Sequence, residues 1–201
     1  MTVESMIAIL GILGAAAWTP GPNNAMLAAS AANYGFRRTL PHAQGVAWGF
    51  PLMIFCVALG LGQIFQAVPI LHEVLRFGGA ALLLWVAWRI ATASGGLGSG
   101  RDGRPFTFFQ AAAFQWVNPK AWVMCVSVVS QFVTGTAPLR EAAILALIAL
   151  SMSLTSAHGW AAFGAALQRV LNTPLRLRIF NIAMASFIAL GVIYLFEDWF
   201  R

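Results

Sequence analysis

From Ser5 to Phe36 the chain carries no charged residue, yet the middle of that stretch reads Ala17-Trp-Thr-Pro-Gly-Pro-Asn-Asn24. An apolar segment of this length suits a bilayer, whose hydrocarbon core of about 30 Å is crossed by roughly 20 apolar residues. Proline withdraws an amide donor and its ring collides with the carbonyl four residues back, so a helix must kink or unwind here. In hydrocarbon the freed backbone groups are tolerated only inside protein or along a watery cavity. Whatever fold this chain adopts must wrap other helices around residues 17–24.

The remaining sequence offers such helices. Of its 201 residues 60% are hydrophobic and 9% charged, against roughly 45–50% and about 25% in soluble domains, which excludes a water-soluble globule. Apolar periodicity and the breakers between segments predict helices near 4–33, 43–67, 73–93, 106–133, 139–168 and 178–199. The expectation is an all-α membrane protein, one transmembrane domain over 1–201. Met1-Thr-Val-Glu-Ser-Met6 lacks the basic start of a signal peptide, so the first span reads as mature sequence. A glycine-rich stretch, Gly95–Gly103, divides the chain into halves of about 1–95 and 104–201.

Charge sets the expected orientation. The net charge of +6 comes from basic residues scattered in ones and twos, without the clustered face that nucleic-acid binding needs. Arg37, Arg38, Arg89, Arg101, Arg104, Arg169, Arg176 and Arg178 fall in the first, third and fifth connections, against Arg76, Arg140 and Arg201 on the other side. The positive-inside rule then places both termini outside.

A second break matches the first. The fourth span reads Phe114-Gln-Trp-Val-Asn-Pro-Lys-Ala121, so the first helix of each half is interrupted by proline with an asparagine beside it. Three helices per half make the halves enter from opposite sides, the arrangement of two inverted three-helix repeats whose broken first and fourth helices meet at the midplane. Half-helix N-termini after Pro22 and Pro119 would offer partial positive charge, and the carbonyls before them partial negative charge. An amphoteric site for a carboxylate and an ammonium follows, built from Pro20, Gly21, Pro22, Asn23, Asn24, Gln115, Asn118, Pro119 and Lys120. Capping of the broken ends is the structural alternative for the asparagines.

Thr19-Pro-Gly-Pro-Asn-Asn24, then Asn33-Tyr-Gly-Phe-Arg-Arg-Thr-Leu-Pro-His42, then Gln115-Trp-Val-Asn-Pro-Lys-Ala-Trp122 together resemble the LysE/RhtB family of amino-acid exporters, most of all the branch exporting cysteine-pathway and related neutral amino acids. The resemblance spans the whole chain in length and helix count. It implies a multi-pass exporter of amino acids or related metabolites in the bacterial inner membrane, driven by the proton-motive force, with the Pro-Gly-Pro and Asn-Pro-Lys segments important to transport. Members resembling threonine or homoserine exporters carry Asp after Pro-Gly-Pro; Asn23 stands there in this chain, which leaves no carboxylate for a mechanism that needs one.

Lys120 is the one charged residue expected deep in a span. Fourteen residues of helix from Phe106 cover about 21 Å, which puts the ammonium near the middle of the core, where a lysine costs about 2.5–3.5 kcal/mol on insertion scales. Either it binds a substrate carboxylate, or it gives up its proton while the site is empty, or it holds the broken helix through backbone carbonyls. Ser151, Thr155 and His158 recur at helical spacing and are expected to share a face toward the cavity, which makes His158 a proton-relay candidate. His42 reads as structural or exposed. Gly45 and Gly49 allow close helix approach. Trp18 and Trp116 precede the breaks and read as core or site wall.

Cys56 and Cys125 form neither a CxxC nor a metal-ligand cluster, and no enzyme, cofactor, metal, nucleotide or haem signature is present. The expected partners are a small amino-acid substrate and the lipid bilayer, with self-association left open. A transmembrane thiol oxidoreductase is the alternative from another class, but it needs a cysteine pair at equivalent positions by the breaks. A non-transporting scaffold would give no reason for a lysine in a proline break.

Overall fold

The computed structural model describes residues 1–62, 67, 69–93 and 104–195, all helical or connecting, with no strand among them. Helix α1 (Val3–Trp18) begins at Thr2, whose side chain accepts from Ser5 N. It ends at the first proline pair, and α2 (Pro22–Tyr34) restarts at Pro22, a position where the missing amide is no loss. The two are bent by 51°. The long α3 (Phe36–Cys56) continues into a wider turn at Val57–Leu61. Helix α4 (Pro69–Ala91) follows, then the short α5 (Phe108–Phe114), opened by a reciprocal Thr107–Gln110 capping box. A single tight turn, Gln115–Val117, and the extended Asn118 (φ −84°, ψ 112°) separate it from α6 (Pro119–Phe132). Helices α7 (Pro138–Leu167) and α8 (Pro174–Leu195) complete the order.

Both expected breaks are therefore present in the chain. Among the described residues three helices, Phe36–Leu61, Pro138–Leu167 and Pro174–Ile193, are long and apolar enough to cross a membrane, and α1 with α2 makes a fourth if counted as one bent span. The expected loop over residues 33–41 is not a loop. Gly35, at φ 85°, makes the whole connection, a conformation that costs glycine little, so α3 starts seven residues before the expected 43 and absorbs Arg37, Arg38 and Pro41. The last helix likewise starts at Pro174 rather than 178. The glycine-rich connection 95–103 and residues 196–201 lie outside the described residues.

The core has two main parts. One gathers Leu13 of α1, Ile54 of α3, Val128 of α6 and Leu145 of α7; the other gathers Met26 of α2, Leu83 of α4, Phe114 of α5 and Ile188 of α8. Helix α7 packs on α1, α2 and α3, while α4 packs on α8. Gly45 and Gly49 of α3 lie directly against the Phe108 carbonyl and Ala112 of α5, the close approach that their spacing predicts. At one end of the bundle the Asn33 and Asn181 amides bond reciprocally at 2.8 and 3.2 Å, and Gln168 Nε2 donates to Ala32 O at 3.0 Å. Arg37 stands in the first turn of α3, Arg89 in the last turn of α4, Arg104 ahead of α5, Arg169 just past α7 and Arg176 in the first turn of α8.

Candidate functional site

The two breaks meet. A cavity of about 70 Å³ lies between them, lined by Gly21, Asn23 and Asn24 from the first and by Gln115, Asn118 and Lys120 from the second. Two hydrogen bonds cross it: Asn23 Nδ2 donates to Gln115 Oε1 at 2.8 Å, and Lys120 Nζ donates to Thr19 O at 2.8 Å. Pro20, Pro22 and Pro119 do not line it; they create the chain interruptions that place the other residues there.

The carbonyl end of α1 is satisfied by side chains from three elements. Asn24 Nδ2 donates to Ala17 O at 2.8 Å and to Thr19 O at 2.9 Å, and Ser156 Oγ donates to Ala17 O at 2.6 Å. Helix ends leave such carbonyls without partners inside the helix, which is why the break needs Asn24. Asn118 does the reverse, its Oδ1 accepting from Lys120 N at 3.1 Å as the cap of α6. No side chain caps α2, so the first-turn amides of Asn23 and Asn24 lie beside the cavity as partial positive charge. Gln115, 1% exposed, is oriented by Nε2 donating to Ala111 O at 2.9 Å. That leaves Oε1 for Asn23, whose own Oδ1 is buried without a partner. The absent Cβ of Gly21 leaves room for the Lys120 stem; an added Cβ would stand 3.0 Å from its Cδ.

The stripe expected from Ser151, Thr155 and His158 points elsewhere. Ser151 and Thr155 are exposed, with hydroxyls donating back to Ile148 O and Met152 O of their own helix. The cavity face of α7 instead carries Ser153, Ser156 and Ala157. A back-bonded hydroxyl is already satisfied and can face lipid, so hydroxyl spacing alone does not say which face is inward. His158 is not in the cavity lining. Its Nδ1 lies 2.7 Å from Leu154 O and its Nε2 3.2 Å from Gln44 Nε2, while Gln44 Oε1 accepts from Trp48 Nε1 at 3.0 Å. A carbonyl only accepts, so the proton belongs on Nδ1, and the network is complete with a neutral ring.

Three residues carry roles that their positions in the sequence do not announce. Ser156 closes the α1 end. Glu141, 4% exposed, accepts from Thr134 N and Oγ1, Gly135 N and Thr136 Oγ1, pinning the turn before α7. His42 is 2% exposed, and among the described residues neither ring nitrogen is bonded, so it is not the exposed residue that its position beside Pro41 suggested. Trp18 is half-exposed, its ring laid against Gly159, and Trp116 packs edge-on to Trp122 at 6.2 Å; neither walls the cavity. Cys56 and Cys125 are both free thiols.

Residues 14–197 match the model of the LysE type translocator family. The chain is 31% identical over 158 residues to the cysteine/O-acetylserine efflux proteins of Escherichia coli and Shigella flexneri, covering 78% of this chain and 80% of theirs. No solved structure matches it. Family match, relatives and apolar helices agree with a multi-pass membrane transporter, and the chain belongs to the LysE-type translocators.

Proposed function

We propose that the protein is a secondary transporter exporting amino acids or related small zwitterionic metabolites across the bacterial inner membrane, driven by the proton-motive force. Transport proceeds by alternating access around the cavity between the two breaks. The observation that carries this reading is the pairing of opposite polarities in one cavity. Uncapped amides of α2 and the Lys120 ammonium suit a carboxylate, while the orphan Asn23 Oδ1 suits an ammonium. Substrate binding falls to Gly21, Asn23, Asn24, Gln115, Asn118 and Lys120, with Pro20, Pro22 and Pro119 holding the backbone open.

Helix pairing supports six spans in two inverted repeats. With α1–α2 taken as the first span and α5–α6 as the fourth, exchanging the halves maps the α3–α7 contact onto itself and the α4–α8 contact onto itself. It also maps the first span on α7 onto the fourth span on α3. By the arginine distribution both termini lie outside. Two hydrogen bonds hold the breaks together at the cavity, Lys120 Nζ on Thr19 O and Asn23 Nδ2 on Gln115 Oε1, and these are the bonds exchanged as the breaks part around a substrate.

The test is efflux from cells loaded with labelled amino acids, followed by counterflow in vesicles. The names of the relatives make L-cysteine and O-acetylserine the first probes. Expression should accelerate efflux of at least one neutral amino acid, and a protonophore should abolish accumulation against a gradient. Unchanged efflux across a full amino-acid panel overturns the reading; counterflow without protonophore sensitivity overturns only the proton coupling.

A further inference from the structure

A second cavity of about 70 Å³ opens at the arginine-rich end, sharing no residue with the first. Its walls come from the last turn of α2 (Asn33, Tyr34), from His42 of α3, from Arg89 of α4, and from Arg104 and Phe106 ahead of α5. His42 is the buried group, and among the described residues neither of its ring nitrogens has a partner. Its ring lies 5.4 Å from Phe106, which meets Phe114 edge-on at 6.3 Å. Those contacts use neither nitrogen.

A buried polar group without a partner is costly and rare in folded proteins. Here His42 lines a cavity while both nitrogens are shielded from it, so a ligand supplies the bond when the ring turns a nitrogen toward the opening. The rim is cationic: Arg89 and Arg104 are exposed, and the Arg89 guanidinium lies over the Trp85 ring at 5.1 Å. Guanidinium groups match a carboxylate in charge and geometry. A neutral imidazole offers one donor and one acceptor, which suits an amine or hydroxyl on the same small molecule. Helix α2 links the two cavities, Asn24 lining one and Asn33 the other, about 14 Å apart along the axis.

We propose that this pocket is a loading subsite where an amino acid is first held, its carboxylate on Arg89 and Arg104 and its amine or side-chain polar atom on His42, before it moves along α2 to the central cavity. This rests on the export reading above.

Proteoliposomes carrying wild-type protein, His42→Leu or Arg104→Gln, in phosphatidylcholine alone or with phosphatidylglycerol, test it with L-cysteine kept reduced, O-acetylserine and a panel of neutral amino acids. Each variant should raise the half-saturating substrate concentration about tenfold while keeping the maximal rate, in both lipids. His42→Leu removes an unpartnered polar group, so its thermal midpoint should hold or rise. Unchanged half-saturation overturns the subsite, as does a thermal midpoint that falls in step with transport. A defect confined to vesicles with phosphatidylglycerol overturns it too, assigning the rim to a lipid headgroup. A wild-type protein that moves no member of the panel overturns the export reading and the subsite together; a wild-type protein that transports while both variants behave identically to it overturns the subsite alone.

Discussion

The Lys120 ammonium donates to the Thr19 carbonyl at 2.8 Å, so the only lysine of the chain joins the break of one half to the break of the other. The same oxygen accepts from Asn24. Two donors on one carbonyl means that Lys120 can leave without orphaning it, and a substrate carboxylate can recruit the ammonium at small cost.

Lys120→Met should accumulate normally in membranes, since Asn24 still covers Thr19 O, but lose export by at least about tenfold, the scale of a lost charged hydrogen bond. Lys120→Arg should retain altered export. Gly21→Ala pushes on the lysine stem and should weaken export with little effect on accumulation. Efflux rates normalised to membrane abundance check all three; a well-accumulated Lys120→Met protein with wild-type efflux defeats both the binding and the bridging role.

Asn24→Ala should instead act on stability. It strips one donor from Ala17 O and one from Thr19 O at once, leaving only Ser156 on the first and only Lys120 on the second, and each lost hydrogen bond is worth about 0.5–1.5 kcal/mol. The thermal midpoint of the purified protein should fall well below that of Asn23→Ala, which breaks only the bond to Gln115. Equal midpoints would show that Ser156 and Lys120 suffice to hold the α1 end.

Pro20→Ala with Pro22→Ala, and separately Pro119→Ala, should leave the protein inserted and slow its export, because restored amides let the helices reseal and withdraw free backbone from the cavity. Full activity in both would make the breaks simple kinks.

How far the sequence alone reaches is visible at these residues. Proline lacks an amide wherever it stands, so both breaks were legible in Pro20, Pro22 and Pro119. The meeting of Asn23 with Gln115 followed from pairing the breaks. That Asn24 rather than Asn23 covers the α1 carbonyls was not legible, since two adjacent asparagines have the same chemistry and differ only in direction. The inward face of α7 is not legible from hydroxyl spacing, because Ser151 and Thr155 satisfy their hydroxyls within their own helix. His42 and Glu141 sit near helix starts, where burial depends on neighbours distant in sequence.

Gly164→Ala should lower accumulation and stability. A Cβ there would run into the Ala28 carbonyl and Cα of α2, and backbone cannot swing aside as a side chain can; overpacking of this kind costs about 1–3 kcal/mol. Gly78→Ala, where a Cβ meets nothing within 4 Å, is the matched control, and equal thermal midpoints for the two would contradict the close α2–α7 contact.

Reporter fusions after Arg38 and after Gly103 should read cytoplasmic, and one at the C-terminus outside, by the arginine asymmetry. A cytoplasmic C-terminus together with a cytoplasmic first connection would rule out six spans.

The one-residue joint at Gly35 has a mechanical consequence. Its amide donates to Ala31 O at 2.9 Å and its carbonyl accepts from both the amide and the hydroxyl of Thr39, so α2 and α3 are clamped from either side with no slack between them. Helix α2, at 13 residues, is then a rigid arm about 20 Å long, pivoted at the arginine-rich end and tipped by Asn23 and Asn24. A tilt on the order of ten degrees at the pivot, within the range of ordinary helix shifts, sweeps that tip through roughly 3 Å, enough to part the Asn23–Gln115 bond without unfolding a single turn.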